Sequence, residues 1–232
     1  MADWIVIRDA RHRIGDGVTV RNWSQERILI VGAARQGLAL ARFLSTQGAQ
    51  VTLNDQRSEQ EMQPAMDQLR GYPVRWALGG HPTSLLEDAT IICVSGGVPL
   101  DLPLVANALD SGITVTNDSQ IFLELVPCPV IGITGSAGKT TTTTLLGRMA
   151  EVQMQPPNHA GGGGNIGSAL IEYIGEIQIN DLVILELSSF QLELMQHAPN
   201  IAAILNITPN HLDRHGTLKA YSAAKAHILT GQ

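Results

Sequence analysis

The sequence predicts an α/β protein, an N-terminal Rossmann-like parallel-sheet domain followed by a partial P-loop α/β domain. From Arg27 onward, short apolar runs alternate with helical stretches, the pattern of βαβ units whose parallel strands are buried on both faces. Residues 130–150 read as a buried strand, a glycine turn carrying Lys139 and Thr140, and a helix. At 232 residues the chain exceeds one average domain, so two compact units are expected.

In the first unit, Ile28 to Val31 reads as a strand, Gln36 to Gln47 as a helix closed by Gly48, Gln50 to Leu53 as a strand and Thr90 to Val94 as another. Asn54, Asp55, Gly96 and Gly97 then fall at strand ends, where ligands gather in open α/β sheets. Pro127-Cys128-Pro129 reads as a linker, giving an extension over 1–24, a first domain over 25–126 and a second over 127–232. The second begins with a strand from Val130 to Thr134 and a helix from Lys139 to Glu151, and the glycine run Gly161 to Gly164 interrupts the series. A strand from Leu182 to Leu187, a helix from Ser189 to Gln196, a strand from Ala202 to Asn206 and a helical stretch from Leu218 to Leu229 follow.

Composition excludes several classes. With 44% hydrophobic and 16% charged residues the chain has enough apolar surface for real cores. A net charge of -6 provides no general basic field for nucleic acid or anionic lipid, so an anionic ligand needs a local site. Cys93 and Cys128 lie in no CxxC and beside no histidine cluster, against a disulfide framework or zinc site. Trp4-Ile5-Val6-Ile7 is too short for a signal segment, and no run of about 18 apolar residues occurs. A cytoplasmic monomer with no membrane or nucleic-acid partner is expected.

The strongest motif is Gly132-Ile133-Thr134-Gly135-Ser136-Ala137-Gly138-Lys139-Thr140, a P-loop whose first required glycine position holds Ile133. Gly135 and Gly138 allow the turn that points successive N–H groups, those of Ser136 and Ala137 among them, at phosphate oxygens, and the following helix adds its positive end. Lys139 belongs on the β/γ-phosphates of ATP and Thr140, with Thr141 beside it, near Mg²⁺. The bland alternative is a flexible glycine turn with a solvated lysine. Glu186 closes an apolar strand on a single carboxylate, well placed to hold Mg²⁺ against the phosphates. His211 follows another apolar strand and can ligate metal or orient a substrate oxygen, although a loop histidine alone is more often a polar surface residue, the reading given to His159, His197 and His227. Gly32-Ala33-Ala34-Arg35-Gln36-Gly37, with Asp55 ending the next strand, is a weak dinucleotide fingerprint; Ala34 replaces the middle glycine, which counts against NAD but not against another nucleotide.

Five segments in order resemble the Mur ligases, in particular their D-glutamate-adding branch. They are the P-loop, Gly164-Asn165-Ile166-Gly167, Glu186-Leu187-Ser188-Ser189-Phe190-Gln191-Leu192, His211-Leu212-Asp213-Arg214-His215 and Tyr221-Ser222-Ala223-Ala224-Lys225. The resemblance implies that ATP phosphorylates the alanyl carboxylate of UDP-N-acetylmuramoyl-L-alanine, and that the D-glutamate amine displaces phosphate, in peptidoglycan precursor synthesis. It implies Thr140 and Glu186 at one Mg²⁺ site, His211 at a second, Asn165 at the substrate, and Lys225 as a carbamate ligand for Mg²⁺. On the uridine side it implies Asp55 and Arg57, with Gly32, Ala33, Arg35, Gln36, Ser95 and Gly96 facing the pyrophosphate end. Gly96 stands where the family usually has proline, and Asn210 where an acid usually precedes the histidine. The family's third, C-terminal domain, which binds the amino acid, has no counterpart before Gln232, so this chain alone is expected to bind nucleotide without ligase turnover. Three rival readings remain: a P-loop switch or kinase, an NAD-dependent dehydrogenase using Asp55, and a non-catalytic binding fragment.

Overall fold

The computed structural model describes residues 21–153, 160–164 and 169–230. Contacts divide the chain into two units, one ending at Asp118 and the other containing Ser119 onward. The division falls at the start of a helix, ahead of Pro127-Cys128-Pro129.

The first unit holds strands β1 (Arg27–Val31), β2 (Gln50–Asp55), β3 (Val74–Leu78), β4 (Ile91–Val94) and β5 (Thr114–Thr116), and helices α1 (Arg35–Thr46), α2 (Glu59–Gln68) and α3 (Pro103–Asp110). The strands form one parallel sheet in the order β3-β2-β1-β4-β5. β1 is central because every residue from Ile28 to Val31 is apolar and can be covered on both faces; each is at most 2% exposed. Burial on that scale stabilises by about 1.5–3 kcal/mol per side chain. Asn54 and Asp55, expected after β2, are its last two residues. Sequence reading did not resolve α2, β3, α3 or β5. α2 starts on a Ser58/Glu61 capping box, a local signal that was available.

The second unit begins with α4 (Asp118–Leu125), followed by β6 (Val130–Thr134), α5 (Lys139–Gln153), β7 (Ala160–Gly164), β8 (Leu182–Glu186), α6 (Ser189–Leu192), β9 (Ile201–Ile204), α7 (Leu212–His215) and α8 (Leu218–Ala226). Its sheet is parallel in the order β7-β8-β6-β9. Ile133, Ile184 and Ala203, from three neighbouring strands, form a buried cluster under Leu146 and Ala150 of α5.

Two expectations are corrected here. The glycine run is not an interruption: Gly161–Gly164 pair along β8 from Val183 to Glu186, as part of an edge strand that no side-chain alternation announces. The helix expected from Ser189 to Gln196 ends at Leu192, because Gln120 Oε1 on α4 accepts the N–H groups of Gln196 (2.7 Å) and His197 (3.1 Å). No helix among the described residues is long and apolar enough to cross a membrane.

Candidate active site

Because β8, β6 and β9 are adjacent and parallel, their C-terminal ends share one edge of the sheet. Ile133 lies beside Glu186, and Thr134 beside Ile204. From this edge β6 runs through the glycine turn into α5, with Gly138 at φ +82° where a side chain would be strained. Glu186 is 3% exposed, and its Oε2 accepts the Thr140 hydroxyl at 3.0 Å. A buried carboxylate needs such a partner. Lys139 Nζ donates to Gly135 O at 3.0 Å, so the lysine curls over the loop that it follows. Lys139, Thr140 and Glu186 are therefore gathered as the motif predicts.

Two loop amides are not. Ser136 N–H donates to Asn206 O, and Ala137 N–H to Asn206 Oδ1, both at 3.0 Å; Asn206 Nδ2 returns a bond to Ala137 O at 3.0 Å. The N–H groups that the motif directs at phosphate are held in this structure by Asn206, just beyond β9. Phosphate would instead meet the first turn of α5, where the amides of Lys139, Thr140 and Thr141 have no carbonyl one turn below and the helix dipole is positive. Gly132 has a packing role. It sits inside β6, and a Cβ there would lie 2.4 Å from Pro199 Cγ.

Lys225 reaches the same strand end from α8. It is 1% exposed, its Nζ lies 3.3 Å from Thr134 Oγ1, and Thr134 in turn donates to Leu187 O at 2.7 Å. The Tyr221 ring lies 4.7 Å from that Nζ, and its hydroxyl donates to Ser136 Oγ at 3.1 Å. Burial pushes the Lys225 ammonium down to about 8, and the Lys139 charge adds to the effect. Thr134, Tyr221 and Asn206 were missed in the sequence reading.

His211 is exposed and starts α7 at φ +51°, the one non-glycine residue with positive φ among the described residues. That conformation costs about 1–3 kcal/mol and persists only where the surroundings impose it. Asn210 Oδ1 accepts the His211 N–H at 2.9 Å, and Phe190 lies edge-on at 5.1 Å. His227 is half-buried, with Nδ1 2.9 Å from Leu192 O, whereas His197 is exposed as expected, with Nδ1 2.5 Å from Gln120 Nε2. Asn165 and His159 lie outside the described residues.

Among the described residues, no three His, Cys, Asp or Glu side chains cluster as a protein-only metal cage. Glu186 with Thr140 instead offers hard oxygens of the kind Mg²⁺ takes alongside phosphate and water.

In the first unit, the loop after β1 is built around Asp55. Its Oδ2 accepts the Ala33 N–H at 2.8 Å, and both its oxygens accept from the Arg57 guanidinium, at 2.9 and 2.8 Å. The Arg57 guanidinium beside it holds the Asp55 carboxyl well below the usual carboxylate range, aided by the Arg57 and Ala33 amides and opposed by burial. Arg57 also reaches Ala33 O at 3.3 Å. Ser95 Oγ donates to Gly32 O at 2.8 Å, and a Cβ on Gly37 would lie 2.0 Å from that oxygen. The Ala33 amide is thus committed to Asp55, and an anion would meet the N-terminal end of α1, where Arg35 and Gln36 begin the helix.

Residues 26–117 match the MurD-like N-terminal domain of Mur ligases, and residues 133–232 the Mur ligase middle domain. A UDP-N-acetylmuramoylalanine–D-glutamate ligase from Koribacter versatilis is 41% identical over 213 residues, 89% of this chain and 45% of that protein. Its counterpart in Pelotomaculum thermopropionicum is 38% identical over 92% of this chain and 46% of its own length. The chain thus spans about half the length of the curated relatives it matches. The solved UDP-N-acetylmuramate:L-alanyl-gamma-D-glutamyl-meso-diaminopimelate ligase from Neisseria meningitides shares the fold, with a TM-score of 0.53 at 19% identity over 88% of this chain and 67% of that one. In both its first unit and its second, the chain belongs to the Mur ligase family.

Proposed function

We propose that the second unit binds Mg²⁺·ATP and the first binds the UDP end of UDP-N-acetylmuramoyl-L-alanine, as the phosphorylating portion of a D-glutamate-adding ligase. The observation that carries this reading is the Thr140–Glu186 pair, a hydroxyl and a buried carboxylate 3.0 Å apart beside Lys139 at the head of α5. When bound there, Mg²⁺ would neutralise phosphate charge. Phosphoryl transfer asks the protein for alignment and charge rather than covalent help. Lys139 supplies the charge by leaving Gly135 O for the β/γ-phosphates, and the first-turn amides of α5 fix the phosphate chain. The alanyl carboxylate oxygen attacks the γ-phosphorus as its bond to the β,γ-bridging oxygen breaks, giving an acyl phosphate and ADP. The D-glutamate amine then attacks the acyl carbon, losing a proton as phosphate leaves.

His211 is proposed to hold a second Mg²⁺, and Asn165 to contact the substrate. Lys225 is proposed to react with CO₂ as its carbamate, R–NH₂ + CO₂ giving R–NH–COO⁻ and H⁺. Burial favours that reaction because an amine lowered to about 8 is neutral more often near neutral pH than an ordinary lysine. At the first unit, Asp55 and Arg57 are proposed on the uridine side, with the α1 end toward the pyrophosphate.

Calorimetric titration of the 232-residue chain with Mg²⁺·ATP tests the reading. The wild type is expected to bind, Lys139→Ala to lose binding about a hundredfold, at the ~2.7 kcal/mol of a charged hydrogen-bond partner, and Glu186→Gln to bind more weakly mainly when Mg²⁺ is present. A folded wild type that ignores millimolar ATP sinks the proposal.

A further inference from the structure

We infer that His215 is the positioning residue for His211, fixed by a hydrogen-bond chain from Glu193 through His215 to Ser189. The inference rests on the reading of His211 as a site residue. α7 is a single turn, and one turn does not hold its own shape in water. Leu212, Asp213 and Arg214 are exposed, so the turn is anchored elsewhere. The anchor is the His215 side chain, 1% exposed, with Nδ1 at 3.0 Å from Glu193 Oε1 and Nε2 at 3.0 Å from Ser189 Oγ. A carboxylate only accepts, so Nδ1 carries a proton and donates it to Glu193, which leaves Nε2 facing the Ser189 hydroxyl.

Two routes lead from this anchor to His211. One is backbone: His215 N–H donates to His211 O at 3.0 Å. The other runs through Phe190, whose ring lies parallel to His215 at 5.3 Å and meets His211 edge-on at 5.1 Å. Tyr221 closes the far side with an edge contact to His215 at 5.2 Å, and the Arg214 guanidinium sits 4.7 Å over Phe190. Ser189 is three residues past Glu186 and opens α6, so the chain ties α7 to the strand end that carries the Glu186 carboxylate. A left-handed histidine persists only where its neighbours over-determine it. Glu193, His215, Ser189 and Phe190 supply that determination.

The test uses the 232-residue chain, ¹⁵N-labelled at histidine and free of nucleotide, with long-range ¹H–¹⁵N spectra. The wild type is expected to show a slowly exchanging Nδ1 proton on His215, assigned by its loss in His215→Phe and distinct from the Nδ1 proton that His227 directs at Leu192 O. His215→Phe keeps the ring and removes both hydrogen bonds. It is expected to shift and broaden the His211 ring signals, leave those of His81 in the first unit in place, and weaken Mg²⁺·ATP binding about tenfold. His215→Asn, which can still donate to Glu193, is expected to recover part of both. If His215→Phe does not fold, Glu193→Ala replaces it, because Glu193 is 29% exposed and its loss opens no cavity; faster exchange at His215 Nδ1 and the same direction of His211 shift are expected. Unchanged His211 signals in the folded variant, or a wild-type spectrum without a protected His215 Nδ1 proton, overturn the inference and leave His215 as core packing. A wild type that shows the histidine pattern but ignores Mg²⁺·ATP sinks the functional reading alone.

Discussion

Lys225→Met should make the second unit more stable at neutral pH. Lys225 is 1% exposed, and Thr134 and Tyr221, its nearest partners, are both neutral. Lowering its pKa from 10.5 to about 8 corresponds to about 3 kcal/mol at 1.36 kcal/mol per unit. The folded value lies below the unfolded one, so the unfolded chain binds the extra proton between about 8 and 10.5, and stability rises with pH across that window. Below 8 the whole penalty is present. Methionine fills a similar volume and removes the penalty, while losing one hydrogen bond worth about 1 kcal/mol. Thr134 Oγ1 still donates to Leu187 O, so no buried donor is orphaned. The net gain is about 2 kcal/mol at pH 7, shrinking to nothing near pH 10. The assay is amide hydrogen exchange at β6 and β8, which reports the opening free energy of this unit, with wild type and variant compared at each pH in CO₂-free buffer so that the amine stays free. A stability difference that stays constant from pH 7 to 10 refutes the argument.

The first unit yields two further expectations. Gly37→Ala places a Cβ 2.0 Å from Gly32 O, a backbone atom that cannot move without breaking its 2.8 Å bond from Ser95; urea unfolding should show a loss of about 3 kcal/mol or more, or no folded first unit at all. Asp55 has a depressed carboxyl, so its stabilisation is complete above about 4 and is lost as pH falls below that value. Arg57→Ala should flatten that acid limb and, because Arg57 is 44% exposed and screened, cost only about 1 kcal/mol at pH 7, which acid titration followed by circular dichroism would measure.

What the sequence disclosed of the site depended on how many residues a signal needs. An apolar strand that ends on one carboxylate is legible along a line, and it led to Glu186; strand, glycine turn and Gly-Lys-Thr led in the same way to Lys139 and Thr140. The fold class followed from equally local patterns. Partner choice is not local. α6 stops at Leu192 because Gln120, 76 residues earlier, takes the Gln196 amide, and no helix propensity encodes that. Ser189 and His215 lie 26 residues apart, and each alone looks like an ordinary polar residue. Asn206 is the instructive case, since it satisfies the strand-end rule that found Glu186: Ile201–Ile204 is apolar, and a polar side chain follows soon after. Its role is the opposite of a ligand's. By holding the Ser136 and Ala137 amides it fixes the loop in one shape. A loop held in this way costs less entropy to order around a phosphate, but it also has fewer donors to offer. On the proposed reading, the burden of binding phosphate then shifts to Lys139 and the first turn of α5, the groups that follow Gly138.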